Sequence, residues 1–140
     1  MPTLLAVYLG GIIGTALRFG LDVALPHEAS TVGWSTIIVN IVGSFVLALL
    51  TTTAWRTAGF PAWAKAGLGA GVLGSFTTYS AVAIGTALAA LSGHVEIAFI
   101  NLSFSLLFGL FAAALGIAVG NRIFKRPRSG TPIPDEGVDL

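Results

Sequence analysis

Gly74-Ser75-Phe76-Thr77-Thr78-Tyr79-Ser80 places five hydroxyl side chains and a glycine near the middle of an uncharged stretch, Ala66 to Gly93, long enough to cross a bilayer. A simple lipid anchor has no use for them. In hydrocarbon, a weakened or broken helix must find other partners for its backbone groups. Irregular backbone is tolerated at that depth where it is buried in protein or lines a polar cavity, so the segment points to a site or a pathway. Other neutral polar residues share that depth. Asn40 is followed by Gly43 and Ser44, and Asn101 by Ser103 and Ser105. Asn101 and Ser105 are four apart on one helix face, and Gly109 extends the row. An isolated Ser or Thr can bond back to its own helix, but an Asn amide needs partners beyond its own turn. Neutral donors can replace water around a small anion without the trapping that a buried Lys or Arg would cause, and conduction needs binding that is escapable. Aromatic ring edges carry partial positive charge and could face the same anion. Carbonyls freed by a broken helix could instead coordinate a hard cation such as Na⁺. The residue types alone leave anion and cation open.

Other chemistries are poorly supported. Asp22, Glu28 and Glu96 fall at segment ends or in loops, and the other three carboxylates lie near the C-terminus. Proton-coupled transporters usually carry an ionisable group at depth, which weighs against a small proton-coupled exporter of the multidrug type. His27 and His94 are loop residues, and no nucleophile, histidine and carboxylate combination falls within a span, so no enzyme is expected. With no cysteine, disulfide and thiol chemistry are excluded.

These residues must be positioned by membrane helices. The chain is 55% hydrophobic and 9% charged, against about a quarter charged in soluble domains. Spanning a bilayer takes roughly 20 apolar residues, and four segments qualify: about Thr3 to Leu25, Val32 to Ala54, Trp63 to Leu91 and Val95 to Asn121. The fold class expected is an all-α membrane protein of four transmembrane helices, the third broken near its centre. Residues 1–124 form the membrane domain, and 125–140, basic with Pro and Gly and then acidic, read as a disordered cytoplasmic tail. The N-terminus lacks the basic region of a cleaved signal, so the first span should be retained. Gly10 and Gly14, Gly67 and Gly71, and Gly116 and Gly120 are each four apart, a spacing that lets helix backbones approach closely.

An even number of spans puts both termini on one side, with the loop after the second helix. That side holds Arg56, Lys65, Arg122, Lys125, Arg126 and Arg128. The positive-inside rule then places both termini in the cytoplasm of a multi-pass protein of the inner or plasma membrane. The net charge of +1 gives no reason to expect a nucleic-acid partner.

Three motifs resemble the Fluc/CrcB fluoride channel family. Gly10-Gly11-Ile12-Ile13-Gly14-Thr15-Ala16-Leu17-Arg18-Phe19 is like the family's G-G-x-x-G-x-x-x-R-[FY]. Asn40-Ile41-Val42-Gly43-Ser44-Phe45 is like N-x-x-G-[ST]-F, and the segment from Gly71 through Ser80 is like the start of G-x-x-G-x-x-T-T-F-S-T-F. The resemblance covers everything except the tail. It implies an antiparallel, dual-topology-type dimer of four-helix subunits that lets cytoplasmic fluoride escape passively through two narrow pores, reducing its toxicity. It also implies a structural, untransported sodium ion at the dimer interface, held by backbone carbonyls that match Gly74 and Thr77. The fluoride path would match Asn40, Thr78, Tyr79, Ser80, Asn101 and Ser105, with Arg18 as an interfacial or vestibule charge. Partners would be fluoride, membrane lipid and a second subunit. A non-conducting structural membrane subunit is the remaining alternative.

The chain departs from the family pattern at the third helix. The family's two phenylalanines are matched by Tyr79 and Val82, and Ala81 replaces a threonine. Tyr79 keeps a ring, whereas Val82 offers no ring edge. A homodimer of inverted subunits should also have little Lys/Arg bias, yet this chain is strongly biased. Both points favour one half of a heterodimer with a homologue of opposite orientation over a homodimer.

Overall fold

The structure is a computed structural model that describes residues 2–28 and 30–124; the expected tail, 125–140, lies outside the described residues. Among the described residues every regular element is helical. Helix α1 spans Pro2–Ala24, with proline at the first position, where its missing N–H costs nothing. Helix α2 spans Trp34–Thr52 and runs on through a 3₁₀ turn at Ala54–Arg56. The third span is composite. It begins as α3 (Ala62–Ala66), continues as a π-helical stretch at Gly67–Leu73 and ends as α4 (Gly74–Phe76); α5 (Ser80–Leu91) follows. Helix α6 spans Val95–Ile123. The four stretches Pro2–Ala24, Trp34–Arg56, Ala62–Leu91 and Val95–Ile123 are each long and apolar enough to cross a membrane. Each expected span therefore has its helix. The start of α2 is later than Val32 because Val32 and Gly33 form a turn, with Trp34 N–H donating to Val32 C=O at 2.9 Å.

Small residues decide how these helices meet. A Cβ built on Gly10 would run into the Gly67 carbonyl and sit 3.1 Å from Gly71 Cα, and one on Gly14 would strike the Val72 carbonyl. A Cβ on Gly71 would lie 2.8 Å from the Val7 carbonyl. Helix α1 thus crosses the π-helical stretch backbone to backbone, with Gly10 against Gly67 and Gly71 and Gly14 against Val72. The third pair serves the contact of α2 with α6. A Cβ on Gly116 would lie 2.5 Å from the Phe45 carbonyl, and one on Gly120 would strike Thr52 Oγ1. Close contact of this kind drives helix association in lipid, where apolar burial alone gives no preference. The core is accordingly thin, comprising Ile37, Val39, Ala48, Leu73, Phe76, Val82, Ala89, Ala98 and Ala112.

The ends of the bundle differ in chemistry. At one, Arg56 Nη1 donates to Asn121 Oδ1 at 3.2 Å, and Lys65 Nζ donates to the Trp55 carbonyl at 2.9 Å. At the other, α5 closes with Gly93 at φ +84°. There His94 N–H reaches back to Ala89 C=O and Gly93 N–H to Ala90 C=O. This is the Schellman arrangement, whose left-handed position favours glycine.

Candidate ion pathway

The hydroxyl-rich centre of the third span is held open by its neighbours. Thr77 has φ −76° and ψ 156°, an extended conformation between α4 and α5. Its own N–H and Oγ1 both donate to Leu73 C=O, at 3.0 and 2.9 Å. Thr78 is then met by Asn40 from α2. Thr78 N–H donates to Asn40 Oδ1 at 2.8 Å, and Asn40 Nδ2 donates to Thr78 C=O at 2.9 Å. The partners are a backbone donor and a backbone acceptor, so the orientation of the amide is unambiguous. Thr78 Oγ1 accepts from Ala81 N–H at 3.1 Å, as a capping hydroxyl does at a helix start, and shares a hydrogen bond with Ser80 Oγ at 3.1 Å.

Four carbonyls, those of Gly74, Ser75, Phe76 and Thr77, lose their usual helical donors in this arrangement, the first and last as follows. In a continuous α-helix Thr78 N–H would serve Gly74 C=O, and Ala81 N–H would serve Thr77 C=O. Here those two N–H groups go to Asn40 Oδ1 and Thr78 Oγ1. Gly74 is exposed on the outer face of the chain. The glycine three residues after Asn40 has a matching purpose. A Cβ on Gly43 would collide with Thr77 Cγ2 and lie 3.4 Å from Phe76 Cδ1. The spacing N-x-x-G thus places a clamp against Thr78 and a vacancy against Thr77 on one face of α2.

Beside the clamp runs an open groove of ≈ 330 Å³. Its polar lining is Asn40, Ser44, Thr77, Thr78, Tyr79 and Ser105, and none of its lining residues carries a charge. Tyr79 stands at 74% exposure, so its ring is presented outward from the bundle. Val82 is buried at 4% and lines both the groove and a small, partly open cavity of ≈ 10 Å³. Ser105 also lines both, and its Oγ is buried with no hydrogen-bond partner among the described residues. Asn101, one turn earlier on α6, lines the small cavity but not the groove. Its Oδ1 accepts from Gly33 N–H at 2.9 Å, ahead of the start of α2. The row expected on α6 is present, with Asn101, Ser105 and Gly109 all buried. Arg18 is half-buried and lines a separate cavity of ≈ 210 Å³ with Asp22, Thr36, Thr78 and Ser80. The structure thus gathers Asn40, Thr78, Tyr79 and Ser105 around one groove and sets Ser80 and Arg18 on the other side of Thr78. His27 and Thr36, which also line the small cavity, carry no signal in the sequence; His27 belongs to a loop whose return over the helices is a tertiary fact.

The chain matches the family model described as CrcB-like protein, Camphor Resistance (CrcB), over residues 5–117. It is 35% identical over 122 residues to a protein of Cutibacterium acnes named fluoride-specific ion channel FluC 2, a match covering 86% of this chain and 99% of that one. It is 38% identical over 126 residues to the fluoride-specific ion channel FluC of Hyphomonas neptunium, covering 89% and 99% of the two chains. It is also 38% identical over 125 residues to the protein of that name from Thermus thermophilus, covering 88% and 98%. The matched region begins within α1 and ends within α6, so it takes in the glycine crossing, the Asn40 clamp and the groove. With four helices able to cross a bilayer and kinship over nearly its whole helical part, this is a multi-pass membrane protein that belongs to the CrcB family.

Proposed function

We propose that the chain is a subunit of a passive fluoride channel that lets cytoplasmic fluoride escape. The observation that carries this reading is the uncharged groove along the Asn40 clamp. Its hydroxyls and amide offer neutral donors, and the outward ring of Tyr79 offers a positive edge, so an anion can exchange water for weak partners and leave again. The names of the relatives supply the choice of anion. A channel of this kind has no catalytic cycle.

The single subunit leaves work for a partner. Gly74 and Tyr79 are exposed near the middle of a span, and the Gly74 and Thr77 carbonyls have lost their helical donors. Groups in that condition cost several kcal/mol each if they face lipid. A second subunit packed against this face would cover them. The Gly74 and Thr77 carbonyls, two of the four freed, are hard-oxygen donors of the kind a sodium ion takes, and carbonyls from both subunits together would complete its shell. A bound ion would supply the positive charge that these carbonyl dipoles lack. The partner favoured here is a homologue of opposite orientation. Arg56, Lys65 and Arg122 give this chain a bias that puts both termini in the cytoplasm, and Val82 leaves it without a second ring.

The test is fluoride efflux from liposomes, followed with a fluoride electrode, for this chain alone and with a CrcB homologue of opposite charge bias. Little flux alone and robust flux for the pair are expected. Robust flux from this chain alone rules out the heterodimer. Efflux that requires a pH gradient, or no efflux in either preparation, rules out the passive channel.

A further inference from the structure

Arg56, Lys65 and Arg122 meet at one end of the bundle, far from the groove. Lys65 Nζ donates to the Trp55 carbonyl at 2.9 Å. The next residue, Arg56, donates through Nη1 to Asn121 Oδ1 at 3.2 Å, and Arg122 follows Asn121. Two hydrogen bonds thus tie cations from three different spans to neighbouring positions. Both bonded cations keep free N–H donors after these contacts. Arg56 and Arg122 are exposed, and Lys65 is half-buried.

No negative group answers them. The described carboxylates, Asp22, Glu28 and Glu96, belong to the last turn of α1, the loop after it and the first turn of α6, all at the opposite end. None of the three cations makes an ion pair among the described residues. Helix dipoles leave the balance to the side chains. Helices α1 and α3 start at this end, α2 and α6 finish there, and their terminal partial charges offset.

Two indoles mark the depth. Trp55 and Trp63 stand beside Arg56 and Lys65, and Trp63 is 50% exposed. Tryptophan collects where hydrocarbon meets headgroups, so the cations stand at headgroup level. Exposed apolar side chains, Leu68 and Ile123, continue from this level toward the bilayer core. A free anion would use only the charges, whereas a lipid uses both the charges and this apolar surface.

We propose that Arg56, Lys65 and Arg122 form a binding site for the phosphate of an anionic phospholipid, which braces the ends of the second, third and fourth spans. The two guanidiniums take phosphate oxygens through paired N–H donors, and Lys65 adds a point charge. The acyl chains lie against Leu68 and Ile123.

The test titrates the full-length protein in detergent with phosphatidylglycerol, phosphatidylcholine or inorganic phosphate and counts retained ligands by native mass spectrometry. Phosphatidylglycerol should bind about tenfold more tightly than either of the others. Arg122 makes no side-chain hydrogen bond among the described residues, and a glutamine at position 56 can still donate to Asn121. Arg122→Gln and Arg56→Gln should therefore keep the fold, checked by thermal melts without added lipid, and each should weaken phosphatidylglycerol binding by about fivefold. Neutralising Lys125, Arg126 and Arg128 together should cost less than either single variant. Equal binding of the two lipids, tighter binding of inorganic phosphate, or unchanged binding by both single variants overturns the site. A loss confined to the variant at 125, 126 and 128 moves the attraction to that segment and also overturns it. The readout is lipid binding, so the result stands apart from fluoride flux.

Discussion

Asn40 and Thr78 hold each other by two hydrogen bonds of opposite sense, side-chain amide to backbone amide, at 2.8 and 2.9 Å. The pair does for the third span what a neighbouring strand would do in a sheet. It satisfies a backbone N–H and C=O at a point where the helix cannot.

Removing that amide should therefore act on the third span first. Asn40→Leu strands both Thr78 groups, at a cost of about 1–3 kcal/mol for each buried polar group left without a partner. A lowered melting temperature in detergent and at least about a tenfold loss of efflux are expected. Asn40→Asp keeps the acceptor and loses the donor, so it should fall between. Equal stability for all three proteins counts against the clamp.

Gly43 and Thr77 form a size-matched pair. Gly43→Ala drives a methyl into Thr77 Cγ2 and should destabilise by about 1–3 kcal/mol, as overpacking does. Thr77→Ser removes the obstructing methyl and keeps the hydroxyl that donates to Leu73 C=O. The double variant should recover most of the lost stability and flux. Additive losses in a double-mutant cycle would show that the contact is not the cause.

Sodium should matter to assembly rather than to transport. If the Gly74 and Thr77 carbonyls share an ion across a dimer, replacing sodium with N-methylglucamine should lower the melting temperature and weaken the dimer. Loss of a ligand held at a hundredfold its Kd amounts to about 2.7 kcal/mol. A melt and a sedimentation profile indifferent to sodium would remove the ion from the account.

Val82→Phe tests whether this position serves the groove or the small cavity behind it. Val82 is 4% exposed, and that cavity of ≈ 10 Å³ has no room for a ring. The enlarged side chain should plug the path and cost about 1–3 kcal/mol, with efflux reduced. Increased efflux would mean that the position turns toward the groove and that a second ring is what this subunit lacks.

The spans were legible because hydropathy over some twenty residues is a local property, and the glycine pairs because their spacing is helical. The importance of Asn40 was also legible, since an amide at depth demands partners. Its partner was not, because Thr78 lies 38 residues away and the pairing depends on how α2 meets the third span. The π-helical stretch at Gly67–Leu73 was invisible for a related reason. Its glycines read as packing residues, and only the crossing with α1 gives the wider turn its purpose. The position of Asn101 shows the limit of a helical row. Sharing a face with Ser105 predicted a common lining, but not that Oδ1 would be taken by Gly33 N–H.

The Asn40 clamp also bears on biogenesis. The third span has the lowest mean hydropathy of the four, and its interior backbone groups are its heaviest burden during insertion. Asn40 precedes Thr78 in the chain, so the amide is made before the backbone groups it satisfies. The second span thereby carries, ahead in the chain, the polar partner that the backbone of the third span lacks within itself.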